Sequence, residues 1–182
     1  MIPTRLLCAA ALLAGGISFA AGKEDKTVLA DELDPRNWPA YGRTYNETHF
    51  SPLTEINRES VAQLRLAWSV DLGGGTALST PLAVDGIVYV ASGYSVVHAV
   101  DATRGKLLWK YDPEAAQAAN QKLRGGAGIR GLAFLKGRLF VGTQDGRLIA
   151  LDAKKGAVVW TAAVLDAADR SYISGAPRVC GD

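Results

Sequence analysis

The chain has 182 residues, of which 48% are apolar and 21% charged, with a formal net charge of +2. This is an ordinary globular composition, long enough for one domain. No run of Lys and Arg exceeds two residues, so the chain lacks the electrostatic footprint that nucleic-acid binding requires.

Residues 1–22 read as a secretory signal peptide. Met1 to Arg5 carries one positive charge, Leu6 to Phe19 is apolar and small, and Ser18-Phe19-Ala20 offers the small residues that a signal peptidase reads. The stretch is too short and wrongly flanked for a stable membrane span. The expectation is an exported chain with no span after processing. Cys8 precedes most of the apolar stretch, which argues against lipid attachment there. With the signal removed, Cys180 is the only cysteine, so no internal disulfide can form, although an exported protein would be allowed one. No His/Cys cluster supports a zinc site, and His49 and His98 read as packed or surface histidines.

Residues 23–62 read as an N-terminal extension followed by a rim segment. The charged stretch through Asn37 lacks periodicity. The segment from Trp38 to Leu53 is loop-like but rich in aromatics, as expected of a strap packed against something larger. Asn57 to Leu64 predicts one short helical turn with Asn57 as its cap.

From residue 63 to 182 the signals are all strand. Gln63 to Val70 alternates polar and apolar. Thr80 to Val84 and Ile87 to Ala91 flank Asp85-Gly86, a strong hairpin signal. Val96 to Val100 and Lys106 to Tyr111 flank Thr103-Arg104-Gly105. The same order then returns: Gly131 to Leu135, Arg138 to Gly142, Arg147 to Leu151 and Ala157 to Val164, joined by Lys136-Gly137, Gln144-Asp145-Gly146 and Lys154-Lys155-Gly156. The two runs match at a spacing of 51 residues without a gap. Four short antiparallel strands in a repeat near 50 residues point to an all-β propeller blade rather than a leucine-rich or helical repeat. The division expected is a blade-closing strand at 63–72, blades at 79–112 and 130–165, and the start of another blade at 173–182, with Pro177 placed like Pro81. One blade cannot bury its own apolar faces, so the chain is expected to be the N-terminal part of a longer propeller.

Within the repeat, Ala-x-Asp-x-x-x-Gly-x-x-x-Trp occurs at Ala99–Trp109 and again at Ala150–Trp160. Asp is expected to cap the turn, Gly to allow positive φ, and Trp to reach the neighbouring blade. This motif resembles the tryptophan-docking repeat of the pyrroloquinoline quinone (PQQ) dehydrogenases. The segments Trp38-Pro39-x-Tyr41-Gly42-Arg43 with Phe50-Ser51-Pro52-Leu53, Ser95 to Asp101, Asp145 to Asp152 and Ile173 to Val179 are similar to the methanol/ethanol branch of that family. The resemblance implies an eight-bladed propeller in the periplasm. It implies PQQ near the axis with Ca²⁺ or a lanthanide, oxidation of an alcohol to an aldehyde, and a c-type cytochrome as electron acceptor. A haem c domain beyond residue 182 is compatible with it.

Residue by residue, the resemblance implies that Arg130, in Ile129-Arg130-Gly131, reaches the oxygens of PQQ. A planar guanidinium suits carboxylate and quinone acceptors. It likewise implies that Ser174 hydrogen-bonds a cofactor carboxylate. Read without the resemblance, the two are a surface arginine at a strand start and a satisfied edge hydroxyl. The general base and metal ligands of the family fall after residue 182, so no catalytic or metal residue is assigned and the chain alone is expected to be inactive. Two departures stand out: Leu78 occupies the place of a frequent glutamate, and Arg124-Gly125 that of a frequent vicinal cysteine pair. The competing readings are a non-catalytic periplasmic propeller scaffold and a sugar- or polyol-oxidising quinoprotein. Gly126-x-Gly128-x-x-Gly131 matches a dinucleotide fingerprint by letter, but strands rather than a helix should follow it, so it is rejected.

Overall fold

The computed structural model describes residues 34–44, 46–73, 79–118, 128–166, 168 and 171–179. The predicted signal peptide, Leu78, Arg124-Gly125 and Cys180 lie outside the described residues. No helix among them is long and apolar enough to cross a membrane.

Eight strands form two four-stranded antiparallel sheets. The first runs β1 (Leu82–Val84), β2 (Ile87–Ala91), β3 (Val97–Asp101) and β4 (Leu107–Tyr111). The second runs β5 (Ala133–Leu135), β6 (Arg138–Gly142), β7 (Arg147–Asp152) and β8 (Val158–Ala163). In each sheet spatial order follows chain order, as hairpin connections dictate. The hairpins start from two-residue turns with both central residues left-handed: Asp85 (φ 51°) and Gly86 (76°), then Lys136 (49°) and Gly137 (74°). This is the turn whose twist matches that of the flanking strands. Asn is favoured over Lys at its first position, so Lys136→Asn should stabilise by about 0.5 kcal/mol, read as a raised thermal midpoint.

The register places Leu82, Tyr89, Ala99 and Trp109 in one cross-strand row of the first sheet. Phe134, Leu139 and Leu151 form a row on the second. These rows meet, and the core is the seam between the sheets: Tyr89, Ala99, Ile129, Leu139, Ile149 and Leu151 are at most 3% exposed. The Tyr89 ring stacks on Phe134 at 6.4 Å and tilts against Trp109 at 6.1 Å. Burial pushes the Tyr89 phenol up to about 12. The equivalent row of the second sheet, Phe140, Ala150 and Trp160, therefore faces away from the first. Each sheet offers one face to the next and receives on the other, which is head-to-tail packing.

A tryptophan staples each step of this packing. Trp109 Nε1 donates to Ala153 O at 3.0 Å and its ring lies flush on Gly156, where a Cβ would stand 2.6 Å from the indole. Trp68 repeats the arrangement one step earlier, donating to Ala102 O at 2.9 Å and covering Gly105 at 2.6 Å. The receiving turns are built alike. Asp101 Oδ1 accepts from the backbone N–H groups of Thr103 and Arg104, and Asp152 Oδ1 from those of Lys154 and Lys155. The hydrogen bonds from Thr103 and Arg104 hold the Asp101 carboxyl down to about 2. Gly105 and Gly156 adopt φ 65° and 68°.

Two predicted elements differ. The strand expected at 63–72 is not in a sheet: Gln63 closes a 3₁₀ turn (Val61–Gln63), and residues 64–73 pair with no strand among the described residues. An outer strand needs a third strand beside it; among the described residues the Trp68 staple ties this segment to the first sheet. Residues 173–179 likewise form no ladder, yet they lie against the second sheet, with Ile173 Cγ2 2.6 Å from where a Gly142 Cβ would be. The predicted turn at 57–64 is present, with Asn57 Oδ1 accepting from Glu59 and Ser60 N–H. A four-residue helix, α1 (Ala115–Ala118), follows β4 and was not foreseen.

Candidate functional site

Just ahead of β1 and β5, three chain segments run side by side. Thr80 N donates to Arg130 O at 2.9 Å, and Arg130 N donates to Ser174 O at 2.9 Å. A parallel bridge joins Thr80 to Gly131, and a Gly131 Cβ would meet Ala176 Cβ at 3.1 Å. Thr80, Gly131 and Ala176 thus form one row, and Pro81 and Pro177 each stand one residue beyond it. The backbone from Ile129 to Gly131 is held from both flanks.

Arg130 and Ser174, 44 residues apart in sequence, meet here. Arg130 Nη1 donates to Ser174 Oγ at 3.0 Å. The arginine side chain is exposed and the serine half-buried. Among the described residues no carboxylate pairs with this guanidinium. Among the described residues its remaining N–H groups are thus an unneutralised, planar donor set, suited to a carboxylate or paired carbonyl oxygens. Ser174 adds a hydroxyl that can turn toward the same acceptor.

The surroundings fix this pair. Ile129 is fully buried behind it. Gly128 bridges antiparallel to Gly93, and a Cβ on Gly128 would stand 2.6 Å from Ser92 O. Ser92 Oγ and His98 Nε2 share a 3.0 Å hydrogen bond, and both residues are buried. Burial, and then the Lys110 ammonium across the sheet, push the His98 imidazole below its usual range. His98 is thus a packed histidine, while His49 is exposed and sets its edge against Tyr41. Sequence reasoning assigned no role to Thr80, Gly128 or Gly131, which hold the Arg130 backbone. The available signal was the pair of glycines flanking Ile129-Arg130.

The strap from Trp38 to Leu53 joins the same assembly. Trp38 pairs with Ala83 on the free edge of β1, and Asn37 Oδ1 accepts from Asp85 N at 3.0 Å. Glu47 forms an ion pair with Arg178, whose guanidinium lies 5.7 Å from the Tyr41 ring centre. On the far side, Arg147 pairs with Asp145 and donates to Pro113 O at 2.7 Å, tying the segment after β4 to the second sheet.

Comparison with known proteins agrees with this architecture. The chain is 44% identical over 175 residues to the quinohemoprotein alcohol dehydrogenase ADH IIB of Pseudomonas putida, covering 96% of this chain and 25% of that one. The crystal structure of the quinohemoprotein alcohol dehydrogenase from Comamonas testosteroni superposes with a TM-score of 0.77 at 40% identity, over 85% of this chain and 23% of that one. A europium-containing methanol dehydrogenase gives the same TM-score at 33% identity, over 87% of this chain and 28% of that one. The chain spans about a quarter of the length of the curated relatives it matches. Residues 38–162, which include the strap and both tryptophan-stapled sheets, match the PQQ family model described as the glucose/ethanol/alcohol dehydrogenase β-propeller domain, and the chain belongs to that family.

Proposed function

We propose that this chain is part of a periplasmic quinoprotein dehydrogenase that oxidises alcohols to aldehydes with PQQ and a Ca²⁺ or lanthanide ion, and passes electrons to a c-type cytochrome. The observation that carries the reading is the Arg130 guanidinium, unneutralised among the described residues, beside Ser174 Oγ where three chain segments meet. PQQ is a tricarboxylate ortho-quinone, so its acceptors suit this donor set, and Arg130 and Ser174 would hold it. Bound there, PQQ would supply the two-electron acceptor that alcohol oxidation requires. Arg130 contributes positive charge and directional N–H donors. Ser174 holds the guanidinium and offers its own hydroxyl. Neither residue moves a proton from the substrate, so both serve binding rather than turnover. The names of the relatives support an alcohol as substrate. The sequence of residues 1–22, which reads as a secretory signal, supports export.

The test is reconstitution of the complete product of the reading frame that encodes this chain. With PQQ and Ca²⁺ added, ethanol-dependent reduction of an artificial dye is expected. No alcohol-dependent reduction with either Ca²⁺ or a lanthanide would overturn the enzyme reading.

A further inference from the structure

The turn between β2 and β3 carries backbone strain that its counterpart in the second sheet avoids. Tyr94 and Ser95 both adopt left-handed backbone, at φ 60° and 64°. That conformation costs a non-glycine residue free energy and persists only where neighbours impose it. At the positions 51 residues later stand Asp145 and Gly146, and only the glycine is left-handed. The Ser95 hydroxyl is buried without a partner among the described residues. Next to it the Ser92–His98 hydrogen bond crosses the turn, and Ser92 N donates to Val96 O at 2.8 Å. The counterpart of His98 is Ile149, fully buried and apolar. The counterpart of Ser92, Thr143, keeps a buried hydroxyl but bonds it to Asp145 and the Arg147 backbone, so the hydroxyl–imidazole pair is particular to the first turn.

What distinguishes the first turn is what it touches. Its Gly93 bridges to Gly128, and Ser92 O lies where a Gly128 side chain would be. Two residues later comes Arg130. We propose that Ser92 and His98 are positioning residues for Arg130: their buried hydrogen bond holds the strained turn against Gly128 and so sets where the guanidinium stands. This rests on the reading of Arg130 as a PQQ-holding residue. The chemistry suits a fixed support. A neutral imidazole has one donor and one acceptor nitrogen, and the hydroxyl can serve either. A buried hydrogen bond between them fixes both side chains, and losing one member leaves the other unsatisfied. Neither residue touches the cofactor in this account. Their effect passes through backbone contacts.

The experiment uses the complete gene product in its cofactor-free form, titrated with PQQ and followed by the quinone absorbance, alongside its thermal midpoint. Ser92→Ala and His98→Leu should each weaken PQQ binding about tenfold. His98→Gln, which places an amide near the Nε2 position, should restore binding to within about threefold of the parent. The decisive readout is coupling: in an Arg130→Ala background, Ser92→Ala should change PQQ affinity by less than twofold. A general loss of structure would lower affinity equally in both backgrounds. If Ser92→Ala and His98→Leu leave affinity unchanged while Arg130→Ala weakens it, the positioning role is wrong and the site stands. Equal effects of Ser92→Ala with and without Arg130 also overturn the role. If the parent protein binds no PQQ, the underlying reading fails instead.

Discussion

Trp109→Ala is expected to cost about 3 kcal/mol, the low end of the range for emptying an aromatic site because the indole is half-buried, and Gly156→Ala about 2–4 kcal/mol from overpacking and left-handed strain together. Both act on the same contact. The indole of Trp109 fills the seam against Tyr89 and lies on Gly156, and its N–H satisfies Ala153 O. A methyl group on Gly156 would stand 2.6 Å from the ring and would be carried by a residue at φ 68°. The control is Gly137, which has φ 74° but nothing within 4 Å of its would-be Cβ. Gly137→Ala pays only for the backbone, about 1 kcal/mol. Thermal or urea melting of the complete gene product separates the terms. Equal losses at Gly156 and Gly137 would show that the staple carries no weight and that only the turn matters.

The same contact explains why so much of the fold was legible. Asp, Gly and Trp recur at a fixed spacing because each solves one local problem: capping a turn, permitting its backbone, and covering it from the neighbouring sheet. The hairpin at Asp85-Gly86 was readable for the same reason. The segment around Trp68 misled in part. Its alternation and its tryptophan matched an outer strand, and the indole does dock as β4's does. Ladder formation, however, depends on strands beside it, which a local pattern does not reveal. Helix α1 has only four residues, too few for a helical period to register.

The candidate site was legible only as separate residues. Arg130 and Ser174 came from the resemblance one at a time, and nothing in their spacing says that they touch. Their meeting follows from the side-by-side run of three chain segments far apart in sequence, which no local segment reveals. The Ser92–His98 pair was hidden for another reason. In a strand that reads Val97-His98-Ala99-Val100, a histidine on an apolar face passes for packing. Only the comparison with Ile149, at the same place in the second sheet, makes it unusual.

Arg130→Ala should weaken PQQ binding about 10- to 100-fold with little change in the thermal midpoint. A hydrogen bond to a charged group contributes about 1.5–3 kcal/mol, and the guanidinium offers more than one. The fold should change little, because alanine retains the backbone bonds to Thr80 and Ser174 and loses only the bond from an exposed side chain to Ser174 Oγ. Arg130→Lys should fall between alanine and the parent, since an ammonium restores charge but not the planar fork. Ser174→Ala should cost about threefold, because the hydroxyl supports the guanidinium rather than supplying the charge. Titration with PQQ, read by quinone absorbance, measures all three on one scale. An Arg130→Ala protein that binds PQQ as tightly as its parent would remove Arg130 from the site. The meeting of Arg130 and Ser174 would then be no more than a link between neighbouring blades.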